Sequence, residues 1–159
     1  MLNTDFPESS DSPGLLLWRV TNAWQAKQRA ALKPFGLTHV QFVLLASLTW
    51  MTSDQPVTQR DLAVQAGTDA MMTSQVLRTL ETMGFVTRQQ HPTDARARAL
   101  TATPEGAALA NRAVRAVESV DREFFAHLGA HGSDFTRMLA TLDRNGRSAA
   151  PPTEHENAR

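Results

Sequence analysis

The sequence predicts a mainly α-helical (α+β) fold, a winged helix-turn-helix with a two-stranded wing and long N- and C-terminal helices forming a dimerisation region. Three observations carry this. Apolar residues recur at three- and four-residue spacing through most of the chain. One pair of segments, Phe85 to Arg88 and Ala97 to Thr101, is short and β-branched enough for paired strands, and it flanks a loop from Gln89 to Arg96. Just before it, two short helical patterns are separated by Gly67, so the order is helix, turn, helix, wing.

Residues 1–14 are rich in Asp, Ser and Pro and read as a disordered arm. The domain itself is expected over 15–144. Its first helix, about 15–33, carries a wide apolar stripe of Leu16, Leu17, Val20, Ala23, Trp24 and Ala31, and Pro34 and Gly36 end it. Thr38 and Gln41 form a capping box that opens a second helix to about Met51, which is apolar on more than one side and so expected to be the most buried. A turn-forming linker, 52–56, leads into a wing-bearing lobe of about 53–103.

There, Thr58 caps a helix with Asp61 in its first turn and Leu62, Ala63 and Ala66 facing inward. Asp69 caps the next, which runs to Met83 with Val76, Leu77, Leu80 and Met83 on one face, and Gly84 supplies its left-handed end. Thr103, Pro104 and Glu105 open a long helix. Its seam of Leu109, Ala113, Val117, Val120, Phe124 and Leu128 is longer than the core of one small domain needs. The last helix, about 133–144, aligns Phe135, Met138, Leu139 and Leu142; residues 145–159 read as a disordered tail. Surplus apolar faces on the helices at about 15–33 and 104–144 predict a homodimer.

The helix from Asp69 to Met83 turns Met71, Ser74, Gln75 and Arg78 away from its apolar face, with Thr73 near the border. Short donors and acceptors with a cation suit the edges of bases and a phosphate in a major groove, and the methionine suits a thymine methyl. A solvated face would have the same composition. The hairpin shifts the balance, because Arg88, Arg96 and Arg98 outnumber Asp94 where a wing meets backbone or minor groove.

The runs Gln59-Arg-Asp-Leu-Ala, Leu77-Arg-Thr-Leu-Glu-Thr-Met-Gly-Phe-Val-Thr-Arg, His91-Pro-Thr-Asp-Ala-Arg and Thr103-Pro-Glu-Gly resemble the MarR family of winged helix-turn-helix regulators, over roughly Leu15 to Leu142. The resemblance implies double-stranded DNA as partner, with Arg96 reaching the minor groove and Asp94 structuring the wing, while two-fold symmetry of a dimer predicts a near-palindromic operator. It also implies a small, often phenolic or otherwise aromatic acid bound between the dimer helices and the DNA-binding lobe. Trp18, Trp24, Phe42 and Trp50 are the candidates to line that cleft. Ala95 stands where a second basic residue is often seen, Ala102 where leucine is usual, and Thr73 where the family is usually apolar.

At 159 residues with zero formal net charge, the chain is no basic coat protein for nucleic acid, although Asp5, Glu8 and Asp11 offset basic positions elsewhere. The absence of cysteine excludes disulfides and thiol-based oxidant sensing. No signal-like or membrane-spanning stretch is read, which points to the cytoplasm. Neither a phosphate-binding glycine loop nor an activated nucleophile is evident, so no enzyme and no cofactor is expected. Two competing readings remain: a winged dimer that binds protein rather than DNA, and a metal-responsive regulator using Glu123, His127 and His131, which would lie in one row on an unbroken helix.

Overall fold

The computed structural model describes residues 3–51, 56–90, 93 and 98–148. It comprises two compact units, one up to Asp121 and one from Arg122 onward. The first contains α1 (Pro13–Leu32), α2 (His39–Met51), α3 (Gln59–Ala66), α4 (Ala70–Thr82), β1 (Val86–Gln90), β2 (Arg98–Ala102) and most of α5 (Pro104–Phe125). The second holds the end of α5, a 3-10 turn over Ala126–His131 and α6 (Gly132–Ser148).

Capping chemistry decides the helix boundaries. Ser12 accepts from the Leu15 amide and Pro13 occupies the first turn, so α1 begins two residues earlier than its apolar stripe suggests. Thr38 and Gln41 exchange the expected pair of bonds, at 2.8 and 3.3 Å. Thr58 and Asp61 form a full capping box at α3, and Asp69 accepts from the Met72 amide at 2.8 Å to start α4. Gly67 and Gly84 adopt φ of +67° and +77°, turning the chain out of α3 and away from α4.

The core gathers around α2. Its Phe42, Leu44, Leu45 and Leu48 are buried against Leu62 of α3, Leu77 and Leu80 of α4, and Leu109, Ala113 and Val117 of α5. The α5 seam is therefore covered within the chain as far as Val117, and the surplus apolar surface expected of that helix is smaller than its length suggested. The helix also stops at Phe125, and Gly129 in the following turn has φ +52°. Glu123, His127 and His131 consequently do not share one helix, because the row they would occupy ends between the first and second. Residue 145 onward was expected to be tail, but α6 continues to Ser148. Among the described residues no single helix is long and apolar enough to cross a membrane.

Candidate nucleic-acid interface

Strands β1 and β2 pair antiparallel, with Val86 opposite Ala102, Arg88 opposite Leu100 and Gln90 opposite Arg98. Facing residues share a side of the ladder, so Val86 and Leu100, both buried, define its inward face, and Arg88 lies on that face too. The Leu100 amide also donates to the Val57 carbonyl at 2.8 Å, which fastens the hairpin to the entry of α3. At its root, Thr103 donates its hydroxyl to Gly84 O at 2.8 Å and accepts from the Gly106 amide at 3.0 Å. A Cβ on Gly106 would stand 2.1 Å from the Phe85 carbonyl oxygen. The Thr-x-x-Gly element thus seats the first turn of α5 directly on the backbone that leaves α4.

Helix α4 buries Leu77 and Leu80 completely and presents its other face outward. Met71 is 82% exposed, Gln75 and Arg78 are exposed, and Ser74 is half-buried, accepting from Arg78 Nη2 at 3.3 Å. Met72, not singled out in the sequence, shares this exposure. Arg98 is exposed on β2.

Two expectations are corrected. Thr73 is fully buried: its hydroxyl donates to Asp69 O at 2.7 Å and lies 2.8 Å from the Thr68 hydroxyl. With its polar group satisfied locally it fills an apolar position, as the family pattern at that site hinted. Arg88 was expected at phosphates but turns inward, its Nε donating to Glu81 Oε2 at 2.8 Å. Asp94 and Arg96 lie outside the described residues.

The four aromatic residues do not share one lining. Phe42 is sealed in the core, whereas Trp18 and Trp50 are exposed, Trp50 by 83%. Trp24 alone is half-buried with a polar role, donating its indole N–H to Asp121 Oδ1 at 2.7 Å. Gln28, fully buried one turn on, donates to the same oxygen at 2.7 Å, and its own Oε1 is buried without a partner among the described residues. His39 sets its ring edge-to-face on Trp24 at 5.1 Å. Burial, then Arg29, holds the His39 pKa below its ordinary 6.5, against the opposing pull of Asp121. Composition could not reveal this cluster, which joins α1, α2 and α5 across more than ninety residues of sequence.

Residues 37–97 match the model of the MarR family. The chain is 44% identical over 125 residues, covering 78% of it and 85% of the relative, to an uncharacterized HTH-type transcriptional regulator, YdcH, of Bacillus subtilis. It is 36% identical over 137 residues, 84% of this chain and 96% of the other, to an HTH-type transcriptional repressor of Mycobacterium tuberculosis. That MarR family protein has been solved with salicylic acid (TM-score 0.65, 35% identity, covering 85% of this chain and 99% of that one) and with DNA (TM-score 0.63, 34% identity, 82% and 97%). CouR from Rhodococcus jostii, bound to p-coumaroyl-CoA, superposes with TM-score 0.76 at 29% identity, covering 95% of this chain and all of that one.

Proposed function

The chain belongs to the MarR family, and on that premise we propose that it is a sequence-specific DNA-binding transcriptional regulator, a homodimeric repressor released by a small aromatic ligand. The observation that carries this is α4, which is anchored by two fully buried leucines and holds Met71, Gln75 and Arg78 outward beside the hairpin. In this reading α4 enters the major groove: Ser74 and Gln75 address base edges, Met71 a thymine methyl, and Arg78 and Arg98 phosphates. Arg96 takes the minor groove and Asp94 structures the wing, roles carried by the resemblance. The solved complex of the mycobacterial repressor with DNA supports the partner.

Exposed Leu15, Leu16, Leu17, Trp18 and Val20 on α1, and Met138, Leu139 and Leu142 on α6, support dimerisation through the terminal helices. Two-fold symmetry then sets half-sites about 34 Å apart. The ligand reading rests on salicylic acid and p-coumaroyl-CoA in related structures. In this chain Trp24, half-buried with His39 set edge-to-face on it, offers an aromatic ring at the joint of α1, α2 and α5. Release requires that the ligand prefer the DNA-free geometry. The regulator works in the cytoplasm and carries out no catalysis.

Selection of duplexes from a random pool, followed by binding titrations over a range of salt, tests the proposal. Retention of a near-palindromic sequence with affinity falling steeply as salt rises is expected, and retention of no duplex refutes it. Gln75→Ala should relax preference at one base step by about 1–3 kcal/mol; an equal loss on every sequence would withdraw the base-reading role.

A further inference from the structure

We propose that Arg88 is a positioning residue whose guanidinium locks the wing onto both helices of the helix-turn-helix, and that Glu81, although an acid beside the DNA-facing surface, is required for tight DNA binding. This rests on the reading of α4 and the hairpin as the DNA interface. Three elements meet at the one cation. From β1, Arg88 donates Nε to Glu81 Oε2 at 2.8 Å, in the last turn of α4. Its Nη1 donates to Gln59 Oε1 at 3.4 Å, at the start of α3. Gln59 in turn donates Nε2 to the Ala70 carbonyl at 3.4 Å, at the start of α4. The Gln59 amide is thus oriented by a donor on one side and an acceptor on the other, and one chain of bonds runs from the wing through the first helix to both ends of the second.

The guanidinium is also withdrawn from the surface. The Arg88 and Glu81 side chains are 23% and 30% exposed, and Arg88 Nη2 is buried without a partner among the described residues, so that nitrogen is closed to a phosphate in this geometry. The strand register explains why: Arg88 sits opposite Leu100 on the face that turns Val86 into the core. Two residues carry the opposite implication for DNA if the bridge is only a surface pair. A carboxylate near a duplex repels it, so removing Glu81 should then strengthen binding, and freeing Arg88 should add a phosphate contact.

The test compares the full chain with Glu81→Gln and Arg88→Gln on the duplex selected by the wild type, across salt, together with amide hydrogen exchange without DNA. Glu81→Gln should bind roughly tenfold more weakly, the loss of a charged hydrogen bond expressed as wing misplacement. The slope of log affinity against log salt should match wild type in both variants, and the β1 and β2 amides should exchange faster while those of α2 stay protected. Tighter or unchanged binding by Glu81→Gln overturns the proposal, as does a slope reduced by about 0.9 in Arg88→Gln, the mark of a lost phosphate contact. Glu81→Gln stands alone if Arg88→Gln fails to fold. Wild type that retains no duplex refutes the DNA reading instead. The clamp is then judged by exchange, where unchanged hairpin amides in Glu81→Gln overturn it.

Discussion

In α3, α4 and the hairpin every leucine is buried, whereas along the first turns of α1 and along α6 the leucines stand exposed. The first region also closes its own polar ends, through Thr58 with Asp61, Asp69 at α4 and Thr103 at α5. Its exposed apolar side chains, Met71 foremost, sit on a helix whose far side is anchored. The terminal helices show the reverse: well-formed backbone with apolar side chains, Leu16 and Leu17 on α1 and Met138 and Leu142 on α6, that stand exposed among the described residues. The contrast separates what one copy completes alone from what it offers to another molecule. A lobe with its own buried core can present a reading face to DNA because its geometry is settled beforehand, while exposed terminal stripes would gain burial on association.

The largest expected effect strikes the self-sufficient region. Leu80→Ala should cost roughly 2–5 kcal/mol in denaturant unfolding, since the side chain is fully buried between α4 and the core. A cost near zero would mean the lobe lacks the buried core described. Next comes Gly106→Ala, where the new methyl meets a backbone carbonyl that cannot rotate away. About 1–3 kcal/mol of destabilisation is expected, with DNA affinity falling alongside as the hairpin root is displaced. Unaltered DNA affinity at wild-type stability would show that the hairpin root tolerates the shift.

Leu142→Ser probes the other region and should leave the helical circular dichroism of the chain unchanged. The residue is 62% exposed, so its effect should fall on association, raising the dimer dissociation constant by about tenfold. Sedimentation at several concentrations measures it. Loss of helicity without a change in mass would reverse the comparison, making α6 part of a self-contained core.

Much of the lobe was legible because its signals are local. Thr58, Asp61, Asp69 and Gly84 act within a few residues of themselves, and the spacing of Leu77 and Leu80 fixes one face of α4. Two misreadings share a different cause. Thr73 is polar by composition, yet a helical threonine can satisfy its hydroxyl on the carbonyl four residues back and then pack as an apolar group. Arg88 was placed by its charge, although alternation from Val86 puts it on the inward face; its partner Glu81 lies across the Gly84 turn, where only tertiary structure brings the two together. The burial of the four aromatic candidates is likewise not legible from spacing. Phe42 and Trp50 share α2, but one is sealed in the core and the other is exposed, and spacing alone did not distinguish them.

The smallest effect expected lies at the joint of α1, α2 and α5. His39 packs on Trp24, with Arg29 and Asp121 as the charged groups facing it. The Asp121 oxygen already accepts from Trp24 and Gln28, so it offers an imidazolium less than a free carboxylate would, and burial with Arg29 prevails. With the folded pKa below 6.5, the unfolded chain binds a proton more readily than the folded one. Stability from this residue is therefore complete above 6.5 and declines as pH falls from there through the folded value. His39→Phe keeps an aromatic ring against Trp24 and removes the titration, so the difference between the two unfolding profiles should grow as pH drops from 7 toward 5. Parallel profiles across that interval would show that the joint does not sense His39 protonation. A divergence that also moved the dimer constant would tie the joint to the terminal helices rather than to the lobe.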